Sequence, residues 1–360
     1  MNFTPLTQWI DSYDRPLVIA GPCSAETRSQ VLTTARGLAA LPRVKVFRAG
    51  VWKPRTRPGS FEGTGTEGLK WMQEAKQQTG LLTTVEVATP KHVQEALKYD
   101  TDILWIGART VVNPFSMQEL GESLRGVNVP VMIKNPVNPD LKLWMGAIER
   151  VYKSGITSIA AIHRGFYHSE KGAYRNVPQW EIPIELMRLM PGLPIICDPS
   201  HIAGKREMLL AVAQQSMDLE MDGLMIETHC NPENALTDAE QQINPAQLQA
   251  LLDALILRSP RGNREFERNL QVLRSEIDGL DYELIQLLAK RMEIVAEMGR
   301  YKYDHHITIL QLDRWKSLFA DRIKKGEKAG LNVDFLGALL KLVHEQSIEI
   351  QTNVMNKTHD

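Results

Sequence analysis

Residues 17–26 read LVIAGPCSAE. An apolar run without polar alternation, Leu17 to Ala20, ends at Gly21-Pro22, and the next residue is a cysteine. Such runs fit strands covered on both faces, as in a parallel sheet wrapped by helices. Related runs follow along the chain: KVFRAG (45–50), LLTTVEV (81–87), ILWIGAR (103–109), VMIKNP (131–136), SIAAIHRG (158–165), LPIICDPSH (193–201) and GLMIETH (223–229). Segments of helical spacing lie between them, for example SQVLTTARGLAAL (29–41) and AGKREMLLAVAQQS (203–216). Strands and helices alternating eight times in about 250 residues predict an α/β protein, a (β/α)₈ TIM barrel. An open doubly wound sheet is the alternative, but GPCSAE is not the G-x-G-x-x-G that would support it.

The ends of these runs carry chemistry. Cys23, Arg48, Glu86, Arg109, Lys134, His163 with Arg164, Asp198 with His201, and Glu227 with His229 stand there in turn. One charged residue after a strand is ordinarily the solvated start of a loop. Eight such ends predict an enzyme, because the C-terminal strand ends of a barrel line one mouth.

Proline divides the chain. All 19 prolines fall at or before Pro260, and the 3 cysteines at or before Cys230. We place a barrel domain at 1–256, a polar linker at 257–266 and a helical domain at 267–360. The formal net charge of −1 implies no general affinity for nucleic acid or acidic membranes. No run approaches the roughly 18 apolar residues of a membrane span. MNFTPLTQWIDSYDRP has neither the basic nor the apolar part of a secretory signal, so a reduced cytoplasmic protein is expected.

Cys23, His201, Glu227 and Asp238 follow strands one, seven and eight, and the first and eighth strands of a closed barrel are neighbours. Thiolate, imidazole and two carboxylates suit a first-row divalent ion with open coordination positions. Packing for Cys23 and a backbone bond for His201 are the plainer readings, and spacing alone leaves both open. FRAGVWKPRTRPGSF (47–61) sets four cations, Arg48, Lys53, Arg55 and Arg57, in one stiff loop. With Arg109, Lys134 and Arg164 they suit phosphate groups.

GPCSAE, FRAGVWKPRT, IGAR, the Lys of VMIKNP, IHRG, DPSH and IETH together resemble the 3-deoxy-D-arabino-heptulosonate 7-phosphate synthases of the compact type I group, over residues 1 to about 255. The resemblance implies condensation of phosphoenolpyruvate with erythrose 4-phosphate, the first step of the shikimate pathway. It implies one divalent metal, Mn²⁺ foremost and otherwise Co²⁺, Fe²⁺ or Zn²⁺, on Cys23, His201, Glu227 and Asp238. Arg48, Lys53, Gly107, Ala108, Arg109, Lys134 and Arg164 would hold phosphoenolpyruvate. Lys53, Pro54, Arg55 and Thr56 would receive the aldehyde substrate, with Lys53 placed to hand over a proton. The related octulosonate 8-phosphate synthases are the rival, but they carry an Ala-Asn-Arg-Ser type of loop where this chain has KPRT.

Beyond residue 265 the sequence reads as helix. Leu270, Leu273, Ile277, Leu280, Leu284, Leu287, Leu288, Met292, Val295 and Met298 recur at three- and four-residue steps, and further helices are expected near 311–326 and 333–353. A helix this long leaves its stripe exposed, so a second copy is expected against it, giving a homodimer with a tetramer as the next order. LRSEIDGLDYELIQLLAKRMEIVAEMGRYK resembles the all-helical chorismate mutases. The resemblance implies rearrangement of chorismate to prephenate, with Arg274, Arg291, Lys302, Arg314, Ser347 and Gln351 in the site and Arg274 reaching into a partner. Lys302 and Gln351 would be the donors to the ether oxygen. Gln311 and Trp315 stand where that pattern has acidic residues. The same unit is expected to slow the barrel when chorismate or prephenate binds; a non-catalytic regulatory and dimerisation module is the alternative role.

Overall fold

The computed structural model describes residues 1–11, 13–53, 59, 61–170, 172–259 and 261–357. Eight strands form a closed barrel in chain order. They are β1 (Leu17–Gly21), β2 (Val44–Ala49), β3 (Leu82–Val87), β4 (Ile103–Ile106), β5 (Val131–Lys134), β6 (Ile159–His163), β7 (Ile195–Cys197) and β8 (Gly223–Glu227). Every neighbouring pair is parallel, and β1 closes on β8 from Leu17↔Gly223 to Gly21↔Glu227.

The unalternated runs follow from burial on both faces. Val18 and Ala20 face the layer between strands and helices, while Leu17 and Ile19 face the barrel interior with Trp105, Met132 and Met225. Leu6 and Ile10, ahead of the first strand, join that interior cluster. Their side chains plug the barrel from residues that the strand pattern leaves unassigned. Gly21 is where β1 and β2 come closest at the mouth. Its φ is +151°, and a Cβ there would lie 1.9 Å from the Arg48 carbonyl oxygen. Only glycine fits.

Two runs are shorter than their apolar stretch. After ILWI the chain turns into a short helix, Ala108–Val111, which carries Arg109. After IIC, Asp198 accepts from the His201 amide and Pro199 takes the first helical turn, so His201 sits on the helix Pro199–Ala203 rather than on a strand end.

The chain separates into two compact units, Met1–Pro260 and Arg261–Asp360. In the second, a long helix (Arg264–Asp304), a middle helix (Leu312–Lys328) and a last helix (Val333–Lys357) follow one another. The long helix begins inside the stretch expected to be linker, because the Asn263 side chain caps it by accepting from the Phe266 amide. No helix among the described residues is long and apolar enough to cross a membrane.

Candidate active site

The β1–β8 register sets Glu227 beside Gly21, two residues before Cys23. Asp238 comes in from the loop after β8. Among the described residues, ligand atoms of Cys23, Glu227 and Asp238 all lie within 4.8 Å of one another. The Cys23 thiol reaches Asp238 Oδ2 at 3.4 Å and receives the Lys53 ammonium at 3.1 Å. His201 stands just outside this trio, its Nε2 3.9 Å from Glu227 Oε1 and its Nδ1 2.8 Å from Asp198 Oδ2. Asp198 thus lies against the ring nitrogen that faces away from Glu227.

Arg48 lies elsewhere than the substrate cavity. Its side chain is 1% exposed, donates to Glu227 Oε1 at 3.1 Å and to the Cys23 carbonyl at 3.3 Å, and lies over the Trp105 ring. Alternation along β2 turns it into the barrel beneath the mouth. Gln241 Nε2 donates to the other Glu227 oxygen at 2.6 Å.

A cavity of about 380 Å³ opens over this cluster, within the range of small-molecule sites. Gly107 and Ala108 line it, and among the described residues five cations face it: Lys53, Arg109, Lys134, Arg164 and Arg175. Pro54, Arg55 and Thr56 lie outside the described residues. Lys134 is paired with Asp198 at 3.0 Å. Arg164 donates to Asn176 Oδ1 at 2.7 Å, and its backbone amide donates to Asn135 Oδ1 at the same distance. Arg175, Asn176, Asn135 and Gln241 carry no signal in the strand pattern. They occupy loops, or face the site only through long-range folding.

The charges are tuned by this crowding. Burial pushes the Cys23 thiol up to about 11, with Glu227 adding to the rise. Burial would raise Asp238 as well, but Arg175, with His201 and Lys53, brings it down to about 2. Glu227 is likewise held below the usual carboxylate range by His201 and Arg48 against its burial. Burial, then Arg175 and Arg109, pull Arg164 down to about 10. Cations forced together in a recess form a preorganised anion site.

The helical unit holds a second group. Arg291 Nη1 donates to Ser347 Oγ at 2.7 Å, and Gln351 Nε2 donates to the Ser347 carbonyl at 3.1 Å. Gln351 is buried, with its Oε1 lacking a hydrogen-bond partner. Lys302 donates to the Ile309 carbonyl at 2.6 Å. Trp315 stacks on His344 at 3.7 Å. Arg314 is exposed on the middle helix. Arg274, also exposed, lies roughly 25 Å before Arg291 along the long helix, at about 1.5 Å per residue, and so apart from the others.

The model of the DAHP synthetase I family matches residues 7–258. The chain belongs to that family. Over 227 residues it is 33% identical to the phospho-2-dehydro-3-deoxyheptonate aldolase of Thermotoga maritima, covering 63% of this chain and 65% of that protein, so the chain spans less than two thirds of that relative. The crystal structure of the Thermotoga DAHP synthase aligns with a TM-score of 0.59 at 32% identity, covering 66% of each chain. A model described as chorismate mutase type II matches residues 273–352. Over 82 residues, 23% of this chain and 22% of the relative, the identity to the T-protein of Haemophilus influenzae is 40%. This DAHP synthetase I family member therefore carries a helical segment with relatives of its own.

Proposed function

We propose that the barrel condenses phosphoenolpyruvate with erythrose 4-phosphate, water adding at carbon two of phosphoenolpyruvate and phosphate leaving to give 3-deoxy-D-arabino-heptulosonate 7-phosphate, and that the helical unit rearranges chorismate to prephenate. The observation that carries the first half is the thiol–carboxylate cluster at the floor of a cavity faced by five cations. Family membership supports the same reading.

The buried donors fit a divalent cation, since one soft thiol and two carboxylates offer ligand atoms within 4.8 Å of one another, with an imidazole beside them. Cys23, Glu227 and Asp238, with His201 beside them, would hold it. Mn²⁺ is our first choice, then Co²⁺, Fe²⁺ or Zn²⁺. When bound, such an ion supplies Lewis-acid polarisation of an aldehyde carbonyl. Arg109, Lys134 and Arg164 bind the anionic groups of phosphoenolpyruvate and orient its carbon three toward the aldehyde. The loop from Lys53 to Thr56 receives erythrose 4-phosphate. Lys53 Nζ, 3.1 Å from the Cys23 sulfur, stands at the reacting end of the cavity and delivers a proton to the new hydroxyl. Arg48 orients Glu227 from below and leaves the substrate to the others.

In the helical unit, Arg291 and Ser347 grip a carboxylate, Arg314 adds charge, and Lys302 and Gln351 donate to the ether oxygen. A rearrangement within one dianion needs no acid or base beyond such donors. Arg274 serves the site of a second copy. Prephenate or chorismate bound there slows the barrel by a coupling of about 1–3 kcal/mol. Three unpaired cysteines suit a reducing cytoplasm.

The test is to assay the whole protein with phosphoenolpyruvate and erythrose 4-phosphate before and after chelation, with arabinose 5-phosphate as the competing aldehyde. Turnover restored by Mn²⁺ and specific for the four-carbon aldehyde supports the reading; chelator-resistant turnover sinks the metal, and preference for arabinose 5-phosphate sinks the substrate. Chorismate turnover by the same sample, and unchanged barrel kinetics under saturating prephenate, test the second activity and the coupling in turn.

A further inference from the structure

Arg175 and Asn176 lie in the segment between β6 and β7 and belong to none of the motifs above, yet between them they contact Asp238, the helix carrying His201, and Arg164. Arg175 Nη1 donates to Gln241 Oε1 at 2.6 Å and lies 3.0 Å from Asp238 Oδ1. Gln241 in turn donates to Glu227 at 2.6 Å. Asn176 Nδ2 donates to the His201 carbonyl at 2.6 Å, and its Oδ1 accepts from Arg164 at 2.7 Å. Both backbone amides donate to the Ile202 carbonyl, at 3.0 and 3.2 Å, which pins the pair to the helix carrying His201.

The fold makes room for this arrangement. Gly204 has φ +72°, and a Cβ there would stand 2.5 Å from Arg175 Cβ. The arginine side chain passes over bare glycine on its way to Asp238. Asp238 itself has φ +49°, and its carboxylate meets Arg175 through Oδ1 at 3.0 Å and the Cys23 thiol through Oδ2 at 3.4 Å.

We propose that Arg175 is a positioning residue that aims the Asp238 carboxylate at Cys23 and Glu227, and that Asn176 ties this cluster to the anion-binding Arg164. The proposal rests on the metal reading above. It has a sign that a bystander charge lacks. A guanidinium 3.0 Å from a ligand oxygen repels a divalent ion, so if charge alone mattered, removing it would tighten metal binding. If positioning dominates, removing it weakens binding, because Asp238 is no longer held in place.

The experiment titrates Mn²⁺ alone into the whole protein, following free Mn²⁺ by its paramagnetic resonance signal. Arg175→Gln should raise the Mn²⁺ Kd at least tenfold, and Arg175→Lys, which keeps the charge but not the fork, should fall between. Gly204→Ala removes no charge and no ligand, yet should weaken Mn²⁺ in the same direction by displacing Arg175. Asn176→Ala should raise the KM for phosphoenolpyruvate by a larger factor than it lowers kcat. An unchanged or tighter Kd in Arg175→Gln, with thermal unfolding like the wild type, overturns the proposal. Should Arg175→Gln fail to fold, wild-type Mn²⁺ affinity in both Arg175→Lys and Gly204→Ala overturns it equally. A wild-type protein that binds no Mn²⁺ removes the metal reading and this proposal with it, whereas wild-type binding unmoved by the variants removes this proposal alone.

Discussion

In the barrel unit Leu17 is 1% exposed and Val18, Ile19 and Ala20 are wholly buried; in the helical unit Leu280, Leu284 and Leu287 are 51–65% exposed. The first set is a continuous apolar run, the second an apolar stripe at three- and four-residue steps. The barrel buries its runs because eight strands close on themselves and helices cover the outside. The long helix meets the last helix near Val295, Gly299 and Gln351, which are buried, while its first half keeps its stripe in the open. Fully burying one leucine is worth roughly 1.5–3 kcal/mol, so a stripe of them is a strong drive to association. The barrel buries its runs within itself; in the reading proposed above a second copy would cover the open stripe of the long helix, and Arg274 would serve its site.

The sharpest way to separate the units is chemical. Cys23→Ala removes the thiol of the donor cluster, and condensation should fall by about 10³-fold or more, equivalent to several kcal/mol of lost charge stabilisation. Chorismate turnover by the same sample should stay within about twofold. Phosphate release and chorismate consumption measure the two. Equal losses in both would mean that the units do not act separately.

Next in size is stability within the barrel. Arg48→Met strands Glu227 as an unpaired carboxylate in a buried place, since the pair is 1% and 0% exposed. Breaking such a pair costs about 3–5 kcal/mol. Calorimetry should show the barrel transition falling in temperature and the helical transition unmoved.

The association itself is tested by Leu280→Lys combined with Leu284→Lys. Two lysines in an apolar interface should weaken the pairing by about 100-fold or more, roughly 3 kcal/mol from the lost apolar burial alone. Sedimentation would show the monomer, with condensation retained and chorismate turnover reduced. A double variant that still sediments as a pair places the interface elsewhere.

The last test concerns acid. His163 is buried at the end of β6 against Trp180, and burial, then Arg164, pull it down to about 3. The unfolded chain takes up this proton near 6.5, the folded barrel only near 3, so stability is lost as pH falls from 6.5 toward 3, by about 1.4 kcal/mol per unit. His163→Phe should flatten that limb in thermal scans between pH 4 and 7, and a limb as steep as the wild type's would assign the loss to other groups.

The same contrast explains what could be read in advance. Strands buried on both faces leave unbroken apolar runs, and helices leave three- and four-residue steps, so the barrel and the helical unit were legible residue by residue. Cys23, His201, Glu227 and Asp238 were read as a set because neighbouring barrel ends can bring them together, although spacing alone left packing open; the fold brings three of them within 4.8 Å of one another and leaves His201 just outside. The support around them was not legible. Arg48 had the look of a mouth cation, and only the alternation of β2 against the closed barrel turns it under Glu227. Leu6 and Ile10 plug the interior without any periodic signal. Arg175 meets Asp238 across more than sixty residues of chain, through a gap that Gly204 leaves open. Local periodicity is written by the backbone's own repeat and therefore survives in one dimension. Which distant side chains meet depends on how the strands close and where the loops return, and that is decided only when the whole barrel is packed.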